Sequence, residues 1–236
     1  MFKISLSPGH GFDTPGKRTP DGMREWEFNS AVVTKMVELF SHYKDVKVKR
    51  LDDPTGKRDV PLKERAQGSD SFDADFHLDV HANAFGETWN DANGIETFSY
   101  HLQGTGFEIA KKLQKALVDA TGLKNRGVKD GEHLYMVNHP KAPACLVECG
   151  FMTNKADAAL LKSDAYRVKI ADTLVKAIAS HFNLVKEVPT PVKPTPAPAD
   201  GKLYKVQVGA FSKKENAESL LKELAAKGYK GVVTYE

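Results

Sequence analysis

Residues 76–83 read Phe-His-Leu-Asp-Val-His-Ala-Asn. Phe76–Val80 has the length and apolar content of a strand, and the run ends in a histidine at a loop. The same pattern recurs on either side. Lys3–Ser7 is a short first strand, followed by Pro8-Gly-His10-Gly11. Val46–Arg50 alternates apolar and basic residues, as a half-exposed strand does. Ile95–Tyr100, Leu134–Val137 and Ala144–Cys149 also read as strands. Helical spacing separates them. Phe28, Val32, Met36 (or Val33) and Phe40 share a face in Glu25–Tyr43. Phe107, Ala110, Leu113 and Leu117 do so in Gly106–Ala120, and Tyr166, Ile170, Leu174, Ile178 and Phe182 in a last helix. Strands alternating with helices predict an α/β sheet covered on both faces. Such sheets place their sites at the carboxyl ends of strands.

A composition shift divides the chain. Val188–Asp200 reads VPTPVKPTPAPAD. Alternating prolines fix φ and remove donors, so an extended segment of about 40 Å is expected. This gives a large domain at 1–186, a linker at 187–200 and a tail at 201–236. In the tail, Leu203–Val208 and Gly231–Tyr235 read as strands. Ser212-Lys-Lys-Glu215 is a capping box, opening a helix with Ala217, Leu220, Leu221, Leu224 and Ala225 on one stripe. Gly228 suits a left-handed stop.

Composition excludes several classes. The 236 residues are 41% hydrophobic and 28% charged, which supports a packed core rather than disorder. No apolar run approaches membrane-spanning length, so no membrane partner is expected. A net charge of +3 without a long basic block gives no footprint for nucleic acid. Cys145 and Cys149 lie four residues apart on a strand, roughly 13 Å. That is too far for a disulfide, so two reduced thiols are expected. The first residues lack the apolar stretch of a secretory leader. Synthesis in the cytoplasm, with release needed to reach any external target, is the expectation.

Three residues stand at strand ends: His10, His81 and Glu148. Glu148 is an acid in the otherwise apolar strand Ala144-Cys-Leu-Val-Glu-Cys-Gly150. A buried carboxylate is costly without a partner. Two histidines after separate strands and an acid ending a third suit an open zinc site. Such a site needs a third protein ligand and leaves one position free. Arg24-Glu-Trp-Glu-Phe28 offers Glu25 or Glu27. Glu25 shares the helix face of Phe28 and Val32, whereas Glu27 points roughly 200° away and reads as a solvated charge. His42, His77, His101, His133, His139 and His181 read as ordinary structural or surface residues.

Ser7-Pro-Gly-His-Gly11, Arg24-Glu-Trp-Glu-Phe-Asn29, Asp79-Val-His-Ala-Asn-Ala84 and Pro143-Ala-Cys-Leu-Val-Glu-Cys-Gly-Phe-Met-Thr-Asn154 occur in that order. Together they resemble the zinc amidases of the Amidase_3 family, which includes cell-wall autolysins and phage endolysins. The resemblance covers roughly residues 1–182. It implies a mixed, twisted α/β sheet flanked by helices, of phosphorylase/hydrolase-like type. It implies one Zn²⁺ held by His10, Glu25 and His81, with Glu148 as catalytic acid/base. It implies bacterial peptidoglycan as partner and hydrolysis of the amide between N-acetylmuramic acid and L-alanine. A zinc peptidase cutting the stem peptide and a non-catalytic wall-binding protein are the alternatives. Ser7 departs from the aspartate of many relatives, which bears on support of the site rather than on metal binding. Arg65 matches a family arginine, readable as substrate contact or as a structural ion-pair residue. Asn83 positions either the loop or the substrate. The tail is similar to the SPOR repeat, a peptidoglycan-binding module, at about half its usual length. Pairing of two tails in a homodimer is the corresponding expectation.

Overall fold

The computed structural model describes residues 1–187, 207–226 and 228–234. Apart from Glu187, the expected linker at 187–200 lies outside them, as does most of the Leu203–Val208 strand. The chain divides into two units, Met1–Val188 and Pro189–Glu236.

The first unit is built on six strands: β1 (Phe2–Pro8), β2 (Val46–Arg50), β3 (Phe76–Asn83), β4 (Ile95–Ser99), β5 (Asn125–Asp130) and β6 (Ala144–Phe151). Their order in the sheet is β2-β1-β3-β6-β4-β5. Neighbours run parallel except β4 and β6, which are antiparallel. The sheet is therefore mixed, as expected. Six helices accompany it: α1 (Glu25–Phe40), α2 (Leu62–Phe72), α3 (Gly104–Thr121), α4 (Tyr135–Asn138), α5 (Lys155–Lys162) and α6 (Asp164–His181).

Strand alternation sorts the two faces. Ile4 and Leu6 of β1, Phe76, Leu78 and Val80 of β3, and Cys145, Val147 and Cys149 of β6 enter one core. Phe28, Val32 and Met36 of α1 meet them, as do Leu113 of α3 and Ile170, Leu174 and Ile178 of α6. The stripes expected on these three helices are the ones buried, except that Ile109 is buried in α3 where Phe107 is only half-buried, and that Phe182, just past α6, is half-buried. Both cysteines are free and buried. Among the described residues, no helix is long and apolar enough to cross a membrane.

The opposite face is polar and thinly covered. A small cluster of Leu51, Ala66 and Met136 packs there. Beside it, Ser5 Oγ lies 2.7 Å from Ser69 Oγ and 2.9 Å from His77 Nδ1. The two hydroxyls and His77 Nδ1 satisfy one another, whereas His77 Nε2 is buried without a partner.

Four elements differ from expectation. Leu134–Val137 is not a strand; Tyr135–Asn138 forms the short helix α4. Four apolar residues in a row fit either period, and the turn Leu134 N–H to Gly131 O starts the helix. Strand β5 was unread because Asn-Arg-Gly-Val-Lys-Asp is a polar edge strand. Helix α2 is polar, with few apolar residues to show a period, and α5 is only about two turns long, too short to show one. In the second unit, α7 (Lys214–Ala226) is present and Gly228 has φ 87°, as read. Residues 231–234 carry no strand where one is expected, and the Leu203–Val208 strand lies mostly outside the described residues. A strand needs a ladder partner for its backbone groups, and none pairs there among the described residues.

His77 is buried at 0% exposure, and desolvation pushes its pKa down to about 4 despite the nearby Asp79. The unfolded chain takes up a proton near pH 6.5, but the native imidazole does not until about pH 4. Stability should fall as pH drops from 6.5 to 4, by about 3 kcal/mol from this group. Urea titrations should show that slope shrinking in His77→Gln. An unchanged slope would assign the acid sensitivity elsewhere.

Candidate metal and acid–base site

The carboxyl ends of β1, β3 and β6 and the amino end of α1 meet at one point. His10, Glu25 and His81 each offer a donor atom there, all within 4.8 Å of one another. Glu25 Oε1 is 2.9 Å from His81 Nδ1, and Oε2 is 3.3 Å from His10 Nε2. The two imidazoles stand edge to face with centroids 5.1 Å apart.

Local structure explains each position. His10 adopts φ 64°, a left-handed conformation that turns the chain sharply after β1. Gly9 precedes it, and a Cβ on Gly9 would overlap the His81 ring. Only glycine lets the two histidine-bearing segments approach so closely. Glu25 is the first residue of α1, where the helix dipole favours a negative charge. Its Oε1 also accepts from the Ala82 N–H (3.2 Å) and from Asn29 Nδ2 (3.1 Å). Asn29 Nδ2 also lies 3.1 Å from Gly9 O, tying α1 to the histidine loop. Burial alone would raise the Glu25 pKa, but hydrogen bonds and charge from His10 and His81 hold it well below the carboxylate range.

Glu148 is the register partner of His81 across β3 and β6. Its Oε2 is buried and has no hydrogen-bond partner. Desolvation pushes its pKa up to about 8; His81 opposes the shift, and Glu25 and Glu96 add to it. The site thus holds one carboxyl kept ionised and one kept readily protonated.

Glu27 is not a free solvated charge. Its Oε2 accepts from the Arg24 N–H at 2.6 Å and closes the start of α1. Arg65 lies behind the site with its side chain 1% exposed. Its guanidinium donates to Ser7 Oγ (2.9 Å), Pro8 O, His10 O (3.1 Å) and Val60 O (2.8 Å), so it holds the loop that carries His10. Ser7 is there a neutral acceptor, and Asp59 supplies the countercharge at 3.3 Å. Asn83 donates to Glu96 Oε1 at 2.6 Å. Asp79 escaped the sequence reading. Its Oδ2 lies 3.3 Å from His81 Nε2, on the side of the ring away from Glu25. Its signal was the i, i+2 spacing to His81, which puts both on one strand face. Asn29, one turn after Glu25, was missed in the same way.

A cavity of about 340 Å³ opens on this centre, lined by Gly9, His10, Asp59, Leu62, Asp79 and His81 among others. A larger hollow of about 420 Å³ between α3 and β5 contains no comparable cluster. A second group, His101, Asp130 and Glu132, also converges, but it is largely exposed.

A mixed sheet presenting two histidines and a carboxylate beside an acid of raised pKa has the groups of a metal-assisted hydrolase. The chain belongs to the Amidase_3 family, described as N-acetylmuramoyl-L-alanine amidase, whose model matches residues 4–180. A SPOR domain model matches residues 200–236. The chain is 30% identical over 237 residues to the N-acetylmuramoyl-L-alanine amidase CwlM of Bacillus licheniformis, covering 100% of this chain and 85% of the relative. It is 28% identical to the sporulation-specific N-acetylmuramoyl-L-alanine amidase of Bacillus subtilis (strain 168), covering 99% and 84%. The crystal structure of N-acetylmuramoyl-L-alanine amidase from Clostridium difficile 630 superposes with TM-score 0.71 at 25% identity, covering 77% of this chain and 97% of the other.

Gly9→Ala tests the close approach. The added methyl must displace the His81 ring, so divalent-metal affinity should fall by roughly tenfold to a hundredfold, with far-UV circular dichroism retained. Wild-type affinity in a competition titration would show that the ring has room to spare.

Proposed function

We propose that this chain hydrolyses the amide joining the lactyl group of N-acetylmuramic acid to L-alanine in peptidoglycan, using one Zn²⁺ held by His10, Glu25 and His81. The observation that carries the reading is the convergence of these three donors beside the unpartnered Glu148 carboxyl. Two imidazoles and a carboxylate are a donor set suited to catalytic zinc, and three ligands leave a position open. When bound, the ion polarises the scissile carbonyl and acidifies water.

The protein's own groups do the rest. Asp79 fixes the His81 ring with Nδ1 toward Glu25, as an outer carboxylate does for a ligating histidine. Asn29 and the Ala82 N–H fix Glu25. Glu148 takes a proton from the attacking water. It then delivers that proton to the departing L-alanine nitrogen, the alternation expected of one group acting as base and acid. Desolvation raises its proton affinity, which favours proton uptake from the water once the group is ionised. Arg65 keeps the His10 loop in place. The SPOR match supports wall binding by the tail. Pairing of two chains through their tails is tested by sedimentation velocity; a monomer at micromolar concentration ends that idea.

Glu148→Ala should lose about 10² to 10⁴ in rate while retaining zinc. His10→Ala should lose both. Elemental analysis reports the metal, and mass spectrometry of digested wall reports the bond cut. Products with new amino termini inside the stem peptide would instead identify a peptidase. Wild-type activity in Glu148→Ala would remove its role.

A further inference from the structure

Beyond Glu148 the sheet continues through β4 to β5, and those strands carry a built cationic site. Glu96 of β4 is the register partner of Glu148. Facing it, the register between β4 and β5 slips between Ile95↔Asn125 and Thr97↔Val128. The extra residue makes a bulge at Arg126-Gly127, and Gly127 takes φ 83°. The bulge is fixed from below. Asn125 Oδ1 accepts from the Gly127 N–H (2.9 Å) and from Gln114 Nε2 (2.7 Å), and Gln114 Oε1 accepts from Thr97 Oγ1 (2.8 Å). Bulges of this kind re-aim a side chain. Here Arg126 is turned onto Glu96, with Nε to Oε2 at 2.6 Å. Lys129 Nζ meets the same oxygen at 2.5 Å. Arg126 also stacks over the Phe151 ring, 4.7 Å from its centroid.

Two cations on one carboxylate leave a formal charge of +1. Neither cation is sealed off; the Arg126 and Lys129 side chains are 26% and 41% exposed. This excess positive charge lies in line with the reaction centre. In sheet order, His81 is on β3, Glu148 on β6, Glu96 on β4, and the two cations on β5. This line has a direction, given the amidase reading on which the inference rests. The acyl carbon sits against His10, Glu25 and His81, and Glu148 protonates the leaving nitrogen. The peptide attached to that nitrogen therefore runs past Glu148 toward β5. Two strand spacings are about 10 Å, the length of roughly two to three extended residues.

We infer that Arg126 and Lys129, set on Glu96 by the β5 bulge, form a subsite for a free carboxylate on the second residue of the leaving peptide. Arginine set over a ring and anchored through Nε to Glu96 and through Nη1 to Asn93 O (3.4 Å) keeps Nη2 free to donate to a carboxylate. Lysine adds charge without fixed geometry.

The test uses the whole chain with zinc and two synthetic muramoyl peptides. One carries a free α-carboxylate on its second residue; the other carries the primary amide there. Wild type should cut the acid with kcat/KM about tenfold higher than the amide, the scale of a partly exposed charge-assisted hydrogen bond. Arg126→Gln and Lys129→Gln should each pull the ratio toward one, mainly by lowering the rate on the acid. Lys129→Gln leaves the Arg126–Glu96 pair intact, so it separates loss of the subsite from disturbance of Glu96. General damage lowers both substrates equally and keeps the ratio. A wild-type ratio near one, or a tenfold ratio surviving both substitutions, overturns the subsite while the amidase reading stands. Failure of wild type to cut either peptide at the lactyl amide overturns that reading first, and the subsite with it.

Discussion

The Glu25 carboxylate is the constraint on which the site depends. It is 2% exposed and receives contacts from four directions: His10, His81, Asn29 and the Ala82 backbone. Those partners come from the loop after β1, from β3 and from α1 itself. A buried charge of this kind survives only if fully compensated. Placing it at the first residue of α1 adds the helix dipole and sets the helix against the sheet. Through Asn29 and Gly9 the same group also fixes the histidine loop. One buried anion thus couples helix position to the geometry of both imidazoles.

A few ångströms away the same physics has the opposite result. Glu148 is half-buried with its Oε2 sealed off and without a donor; desolvation, and then its carboxylate neighbours Glu25 and Glu96, push against ionisation. Two carboxyls whose surroundings drive them apart are the usual mark of a division between holding charge and moving protons. The division requires that no guanidinium or further lysine reach Glu148 beyond the pull of His81 and Lys17. Arg65 cannot, because its donors are taken by carbonyls behind the loop. Arg126 and Lys129 do not, because Glu96 intercepts both.

Much of this was legible in the sequence where a period or an exception to one was present. Phe28, Val32 and Met36 announced the buried face of α1, and Glu25 was distinguished from Glu27 by that same face. Ile4, Leu6, Phe76, Leu78 and Val80 announced the central strands. What stayed hidden was structure set by partners rather than by its own apolar content. Strand β5 is mostly polar and forms because β4 supplies a ladder. Residues Leu134–Val137 coil because a turn at Gly131 precedes them. The role of Arg65 depends on carbonyls some 55 residues away in the chain, which no local pattern encodes.

The reversal of β4 bears most directly on chemistry. In an all-parallel sheet the strand beside β6 would bring its own carboxyl end to the site. Here β4 runs antiparallel, so residues near its start face the carboxyl end of β6, and Glu96 stands opposite Glu148. Antiparallel partners on one face approach within about 5 Å at Cβ. A carboxylate that close to an unpartnered acid would be a liability if its charge were free. The bulge at Arg126-Gly127 supplies the remedy by turning a guanidinium onto it. Strand direction, bulge and cation pair therefore form one device: desolvation makes Glu148 protonatable, the reversed strand adds Glu96 to that effect, and the charge needed to tolerate Glu96 is left facing the path of the departing peptide.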